Sequence, residues 1–143
     1  MAKKGKSVLV RLIAVKELAF SINYSELKEN ESEVLFNFGF QINPIIEKDE
    51  VTVFLRVTIS SPSHQTLLNL DSSYEFAVPD LNSLIKVKEN GETEIESIPA
   101  HLLNVAVGTS RGLIVSKTAG TPLSKYPLPI VDVTRMLKET KRS

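Results

Sequence analysis

Two histidines and three clusters of carboxylates are the residues of this sequence that could support metal binding or acid–base chemistry. Neither His64 nor His101 has a second histidine or a carboxylate at metal-ligand spacing. The carboxylates are concentrated in segments 26–33, 47–50 and 89–96, which the sequence predicts as loops. Paired acid–base carboxylates need rigid elements around a cleft. We therefore predict no metal site, no cofactor and no catalytic residue.

One glycine-rich segment, Gly108-Thr109-Ser110-Arg111-Gly112, has the composition of a phosphate-binding loop. Phosphate-binding loops precede a helix, whereas this segment lies inside a predicted helix. A glycine in a helix interior costs up to about 1 kcal/mol relative to alanine, so two glycines four residues apart indicate a bare stripe for close approach of another backbone. We predict that Gly108, Arg111 and Gly112 contribute to an interface between subunits.

Composition excludes several classes of protein. The chain contains no cysteine, which removes disulfides, thiolate zinc sites and cysteine nucleophiles. Its 17 basic and 17 acidic residues give a net charge of zero, so we expect no nucleic-acid partner. Arg11 interrupts the first apolar run, and no run approaches the ~20 apolar residues of a membrane span. We expect a cytoplasmic protein without membrane insertion, with flexible tails at 1–7 and 139–143.

The first half of the chain has the period-two alternation of β-strands. Four strands are predicted, at residues 8–22, 34–43, 51–60 and 68–78, the first with a bend or bulge and the second ended by Pro44. Short turns between the last three predict antiparallel neighbours. One face of the second strand carries only apolar residues: Val34, Phe36, Phe38, Phe40 and Ile42. We expect this face to pack against helices, together with the face of the third strand that carries Val53, Leu55 and Val57.

The second half of the chain changes to helical spacing. A long helix is predicted from Pro99 to Thr118 with Ser97 as its N-cap, followed by a proline-rich loop and a short helix opened by Asp132 or Thr134. Strands followed by helices, without βαβ alternation, indicate an α+β fold. We predict one domain over residues 1–143, with a four-stranded antiparallel sheet packed against a long helix and a short C-terminal helix.

Three segments resemble the bacterial export chaperone SecB and its divergent relatives. Leu55-Arg56-Val57-Thr58 is similar to a string in the third strand of that family, and Arg111 falls where the family has an arginine in its long helix. The segment from Leu128 to Leu137 resembles the family's signature before the last helix, with the proline displaced by one position. The resemblance covers roughly residues 34–140 and includes the order of the elements.

The resemblance implies a protein that holds non-native polypeptides, or one specific client, in apolar grooves between the sheet, the last helix and its preceding loop. It also implies a homo-oligomer, a dimer or a tetramer assembled through the long helices, and no cofactor. The stiff, apolar loop 122–130 suits such binding because its prolines reduce the entropy lost when a client is bound. The candidate peptide-binding residues are Phe36, Phe38, Phe40, Ile42, Tyr126, Leu128 and Ile130. Anchoring of the loop to the core is an equal alternative for Leu128 and Ile130.

The chain also departs from the family. Export chaperones of this type are acidic and dock the translocation ATPase through acidic groups on the outer face of the sheet, whereas this chain is neutral and has Asn69 at one such position. Four functions therefore stay open: a general or client-specific chaperone, a chaperone that guards an antitoxin, an adaptor subunit of one fixed complex, and a small-ligand binder or enzyme. A shared fold does not choose between them.

Overall fold

A computed structural model describes residues 10–23, 27, 33–87, 93–95 and 98–142. Four long strands form an antiparallel sheet, as predicted, and their order in the sheet is β1-β4-β3-β2. The strands are β1 (Arg11–Ile22), β2 (Leu35–Ile45), β3 (Glu50–Ser60) and β4 (Thr66–Ala77). A short hairpin of β5 (Ile85–Val87) and β6 (Thr93–Ile95) precedes two helices, α1 (Pro99–Thr118) and α2 (Val133–Arg142). The hairpin was not predicted, because strands of three residues carry too little alternation to be recognised.

The central strand β3 shows how alternation produces two faces. Its odd-numbered residues are all buried against the helices: Val51, Val53, Leu55, Val57 and Ile59. Its even-numbered residues point to the opposite, outer face of the sheet, where Phe54 is 37% exposed and interrupts an otherwise polar row. The two-sided pattern therefore confirms the prediction that one face of this strand packs on the helices.

The prediction that Pro44 ends β2 is wrong. The strand continues to Ile45, with Pro44 opposite Val51 in the antiparallel ladder. Proline is compatible with a strand at the edge of a sheet, because the N–H that it lacks would have faced away from the neighbouring strand. The edge position also leaves the aromatic side chains of β2 half-buried rather than fully buried.

The other edge strand, β1, is irregular. Its pairing with β4 shifts register between Leu12 and Ala14 and again between Glu17 and Ala19, which confirms the predicted bulge. The residues skipped in these shifts are Ile13 and Leu18, and both are large apolar side chains that stay exposed, at 47% and 55%.

Helix α1 has the predicted bounds, but Ile98 rather than Ser97 occupies its N-cap position, without a side-chain cap. Ser97 itself lies outside the described residues. The buried face of α1 lies on β3 and β4, and it includes a serine. The Tyr74 hydroxyl lies 2.5 Å from Ser110 Oγ and 2.8 Å from Ser72 Oγ, and all three residues are buried. This buried network fixes the helix on the sheet at one register, because an unpaired hydroxyl there would be costly.

The end of α1 is held against β1 by a lysine. Lys117 forms an ion pair with Glu17, and its Nζ lies 4.4 Å from the centroid of the Phe20 ring, a cation–π contact. Together, these contacts connect the long helix to β1, the edge strand on the opposite side of the sheet from β2.

Helix α2 begins at Val133 and is capped by Asp132, one of the two predicted openers, whose Oδ1 accepts a hydrogen bond of 3.1 Å from the N–H of Arg135. The helix runs to Arg142, so residues 139–142 are helical where a tail was predicted. The other predicted tail, residues 1–7, lies outside the described residues. In the part of the chain that the structure describes, neither helix has the length and apolar character needed to cross a bilayer.

Candidate binding groove

An open groove with a volume of about 600 Å³ lies between β2, the chain that precedes α2, and α2 itself. The lining is mostly apolar, with three charged residues contributed by α2 and its N-cap. The groove residues are Val34, Leu35, Phe36, Phe38, Pro129, Ile130, Val131, Asp132, Arg135, Met136 and Glu139. We call this site the α2 groove.

The strand wall of the α2 groove is made by Phe36 and Phe38. Their register partners on β3 are Ile59 and Val57, which are fully buried, so both rings belong to the helix-facing side of the sheet. Because β2 is an edge strand, these rings lie at the margin of the core and are only half-buried. They therefore offer apolar surface to a ligand while remaining packed on the core.

The loop that forms the second wall is anchored in the core at one residue and exposed to solvent at another. Leu128 is 5% exposed and anchors the loop in the core, whereas Ile130, two residues later, is 96% exposed. Arg111 on α1 holds this loop by donating from Nε to the carbonyl oxygen of Leu128 at 3.4 Å and from Nη2 to that of Pro129 at 2.9 Å. An isoleucine is thus presented to solvent from a loop that is fixed on both sides of it, since Asp132 caps α2.

The helix wall combines apolar and charged groups. Met136 is half-buried between α2 and the core, and a flexible thioether can adapt to ligands of different shape. Arg135 and Glu139, one turn apart, form an ion pair of 3.2 Å at the rim, and both side chains are largely exposed. The groove therefore has an apolar floor, and its charged rim residues are already paired with each other or used as a helix cap.

The structure brings together three of the seven predicted binding residues. Phe36, Phe38 and Ile130 line the α2 groove, whereas Phe40 and Ile42 lie further along the same face of β2 and are half-buried. Tyr126 and Leu128 do not line it. The sequence reasoning missed the remaining apolar lining of the groove. Those residues are Val34, Leu35, Val131 and Met136. The spacing of polar and apolar residues in α2 is a signal from which the contribution of this helix to the groove could have been predicted.

The glycine stripe of α1 faces away from the other described residues. Gly108 and Gly112 are exposed, and a methyl group added at either position would meet no atom within 4 Å. Two large apolar side chains on the same side of the helix, Val105 and Val115, are 42% and 55% exposed. Arg111 is directed instead to the loop before α2. Within the part of the chain that the structure describes, no backbone packs against this stripe, and the subunit interface stays a prediction.

The outer face of the sheet carries paired charges beside a shallow hollow of about 400 Å³ near Phe54 and Gly39. Arg56 and Asp71 form two parallel bonds, Nε to Oδ1 at 2.7 Å and Nη2 to Oδ2 at 3.0 Å. The hydrogen bond from Arg56 lowers the pKa of Asp71 below its usual range. Lys16 similarly pairs with Glu75 at 3.1 Å. The two acids near Asn69 therefore already have basic partners within the chain.

The residues that could support metal binding or acid–base chemistry are the two histidines and the carboxylates of three segments. Among the described residues, no three side chains of the metal-binding types converge on one point. His64 lies in the turn between β3 and β4 with a φ of 66°, and His101 is exposed on α1. Much of the carboxylate segments 26–33 and 89–96 lies outside the described residues.

Comparisons with known proteins address the fold. No protein-family model matches the chain, and no curated protein matches it by sequence. Among solved structures, the chain is similar to that of the SecB-like chaperone Rv1957 of Mycobacterium tuberculosis. Rv1957 was solved in complex with a ChAD peptide from the Rv1956 HigA1 antitoxin. The TM-score is 0.54 at 12% sequence identity, and the match covers 86% of this chain and 91% of that one. The fold is SecB-like. This finding confirms the α+β architecture of four antiparallel strands and two helices that the sequence predicted.

Proposed function

We propose that this protein is a SecB-like chaperone that holds an apolar segment of another polypeptide in the α2 groove. The observation that carries the proposal is Ile130, an isoleucine left 96% exposed by a tethered loop, beside the half-buried rings of Phe36 and Phe38. An apolar residue on a fixed loop loses little conformational entropy when a ligand covers it. An open, apolar groove with paired rim charges selects for extended apolar chain rather than for one charge pattern.

The clients proposed are non-native polypeptides or one specific protein. The neighbour Rv1957 was solved with a peptide from an antitoxin, so a client restricted to an antitoxin is one form of the same proposal. The pairing of Asp71 and Glu75 with basic residues disfavours docking of an export ATPase through free acids on the outer face. We further propose that the protein acts in the cytoplasm and uses no cofactor or catalytic residue.

We also propose that the subunits associate through α1, as a dimer or a tetramer. The support is a helix face that combines two exposed glycines with the exposed side chains of Val105 and Val115. Small residues let two helices approach closely, and the flanking valines would then be removed from water.

The experiment is a binding assay with unrelated unfolded proteins, such as carboxymethylated α-lactalbumin, together with suppression of their aggregation. Ile130→Ser should weaken binding at least tenfold, about 1.4 kcal/mol. The fold should be unaffected, because Ile130 is almost fully exposed. Ile46→Ser is the matched control: Ile46 is a 40% exposed isoleucine in the turn after β2, and it does not line the α2 groove.

Three outcomes distinguish the alternatives. Equal binding by the Ile130 and Ile46 variants would show that the α2 groove is not the binding site. Failure of the wild-type protein to bind any unfolded protein, with capture of one folded partner, would favour an adaptor subunit. Binding of a single unfolded client would identify a dedicated chaperone.

A further inference from the structure

The direction of the backbone groups in the sheet can be read from one hydrogen bond at its end. The Val78 N–H donates to the Asp49 carbonyl oxygen at 2.8 Å, so that carbonyl points from the start of β3 towards β4. The peptide bond between Asp49 and Glu50 is trans, and in a trans peptide the N–H points opposite to the C=O. The N–H of Glu50 therefore points towards β2, where its register partner is Ile45.

The direction of the Glu50 N–H fixes the direction of every backbone N–H and C=O group of β2, because the pairing of β2 with β3 has no register shift. Hydrogen-bonded and non-hydrogen-bonded pairs alternate in an antiparallel ladder. If Ile45 bonds to β3, then the other odd-numbered residues of β2 do so too, and the even-numbered ones direct their N–H and C=O away from the sheet. Pro44 supports the assignment independently, because a residue without an N–H fits only at an outward-facing position.

The edge that results is an open template for another strand. Four consecutive even-numbered residues present outward backbone groups: Phe36, Phe38, Phe40 and Ile42. Natural edge strands are usually blocked by charged residues, bulges or prolines. β2 has no charged residue over its 11 residues and no bulge, and its proline lies near the end, where it stops the template after Ile42. In the part of the chain that the structure describes, no strand pairs with this edge.

The opposite edge of the sheet is protected in the usual manner. Two bulges interrupt β1, and Lys16 and Glu17 lie between them. The two edges of one sheet thus differ in the features that permit or prevent strand addition, and only the permissive one borders the α2 groove.

The same residues whose backbone groups face outward also direct their side chains to the groove side of the sheet. A chain that bonds to β2 would therefore lay every second side chain over the α2 groove and the rings of Phe36 and Phe38. We propose that the client binds by strand addition to the edge of β2, as an extended segment of about seven residues with alternating apolar side chains. This inference rests on the proposed function and specifies the chemistry of the segment that is held.

The test uses a fluorescently labelled peptide of alternating valine and threonine with the wild-type chain. Two derivatives carry N-methyl groups on every second residue, one on the valines and the other on the threonines, so the side chains are identical. Only one edge of an added strand bonds to β2, so one derivative should lose at least tenfold in affinity while the other binds within about threefold of the parent peptide. The blocked derivative also reports the strand direction.

Amide hydrogen exchange on the wild-type protein gives a second measurement without a substitution. The amides of Phe36, Phe38 and Phe40 should exchange quickly in the free protein and at least tenfold more slowly when the peptide is saturating. The amides of Asn37, Gly39 and Gln41 should be slow in both states because they bond to β3. Equal loss with both methylated peptides, or no slowing of the even-numbered amides, would overturn strand addition. The same conclusion would follow if carboxymethylated α-lactalbumin bound and the peptide did not, whereas failure of the wild-type chain to bind the peptide or any unfolded protein would overturn the proposed function itself.

Discussion

Replacement of both helix glycines by alanine should change stability and assembly in opposite directions. Gly108 and Gly112 have no positive φ, and a methyl group added at either position meets no described residue within 4 Å. Each replacement should therefore stabilise the isolated subunit by about 0.5–1 kcal/mol through helix propensity. Together they amount to about 1–2 kcal/mol, or roughly 3–7 °C in the unfolding temperature of a chain of this length.

At a subunit interface the same two methyl groups would occupy the space that another backbone needs. We expect the double variant to dissociate at concentrations of tens of micromolar, a rough range for weak association, at which the wild-type chain is oligomeric. Analytical ultracentrifugation measures assembly, and thermal unfolding at high dilution measures the subunit alone. Thr109→Ala, which changes helix propensity beside the stripe, is the control. Unchanged assembly of the double variant would refute the helix interface, and a lower unfolding temperature at high dilution would refute the open-space argument.

Three further changes test other contacts. Tyr74→Phe should destabilise the protein by about 1–3 kcal/mol in urea unfolding, because it leaves the buried hydroxyl of Ser110 without its 2.5 Å partner; an unchanged midpoint would contradict the network. Arg111→Met keeps the side-chain stem but removes the two bonds to the loop before α2, so client binding should weaken although the residue does not line the groove; wild-type affinity would show that the loop needs no tether. Asp71→Asn tests acid sensitivity: the folded-state pKa of Asp71 lies below its usual value of about 3.9, so its pairing with Arg56 stabilises the fold above that value and is lost as the pH falls through the folded pKa. The variant should lose less stability than the wild type as the pH falls below about 4, and parallel acid curves would show that the pair is neutral for folding.

The elements with strong periodicity could be predicted from the sequence. Helix α1 has the predicted bounds because its apolar spacing and Pro99 are local signals. The end of β2 was wrong because the rule that proline stops a strand holds for interior strands, and the position of a strand in the sheet is not a local property. The hydrogen bond between the hydroxyls of Tyr74 and Ser110 could not be foreseen for the same reason, since the two residues are distant in sequence.

The candidate site could be predicted only in part, because the sequence shows the local character of each residue but not how α2 docks on the sheet. Phe36, Phe38 and Ile130 were identified by their apolar character in a strand and a stiff loop. The burial of Leu128 and the exposure of Ile130 were indistinguishable in the sequence, because both follow a proline in the same loop. The groove exists only where α2 docks beside the edge of the sheet, and the contribution of Met136 depends on that docking.

The charge pairs on the outer face of the sheet have a consequence for how fast a partner could reach it. Lys16 with Glu75, and Arg56 with Asp71, form two dipoles whose fields decline within a few ångströms, faster than the field of a net charge screened over about 8 Å at physiological salt. A partner that lands on this face would not be drawn in from a distance. Its association rate constant should stay near the unsteered range of about 10⁵–10⁶ M⁻¹s⁻¹ and change little with ionic strength.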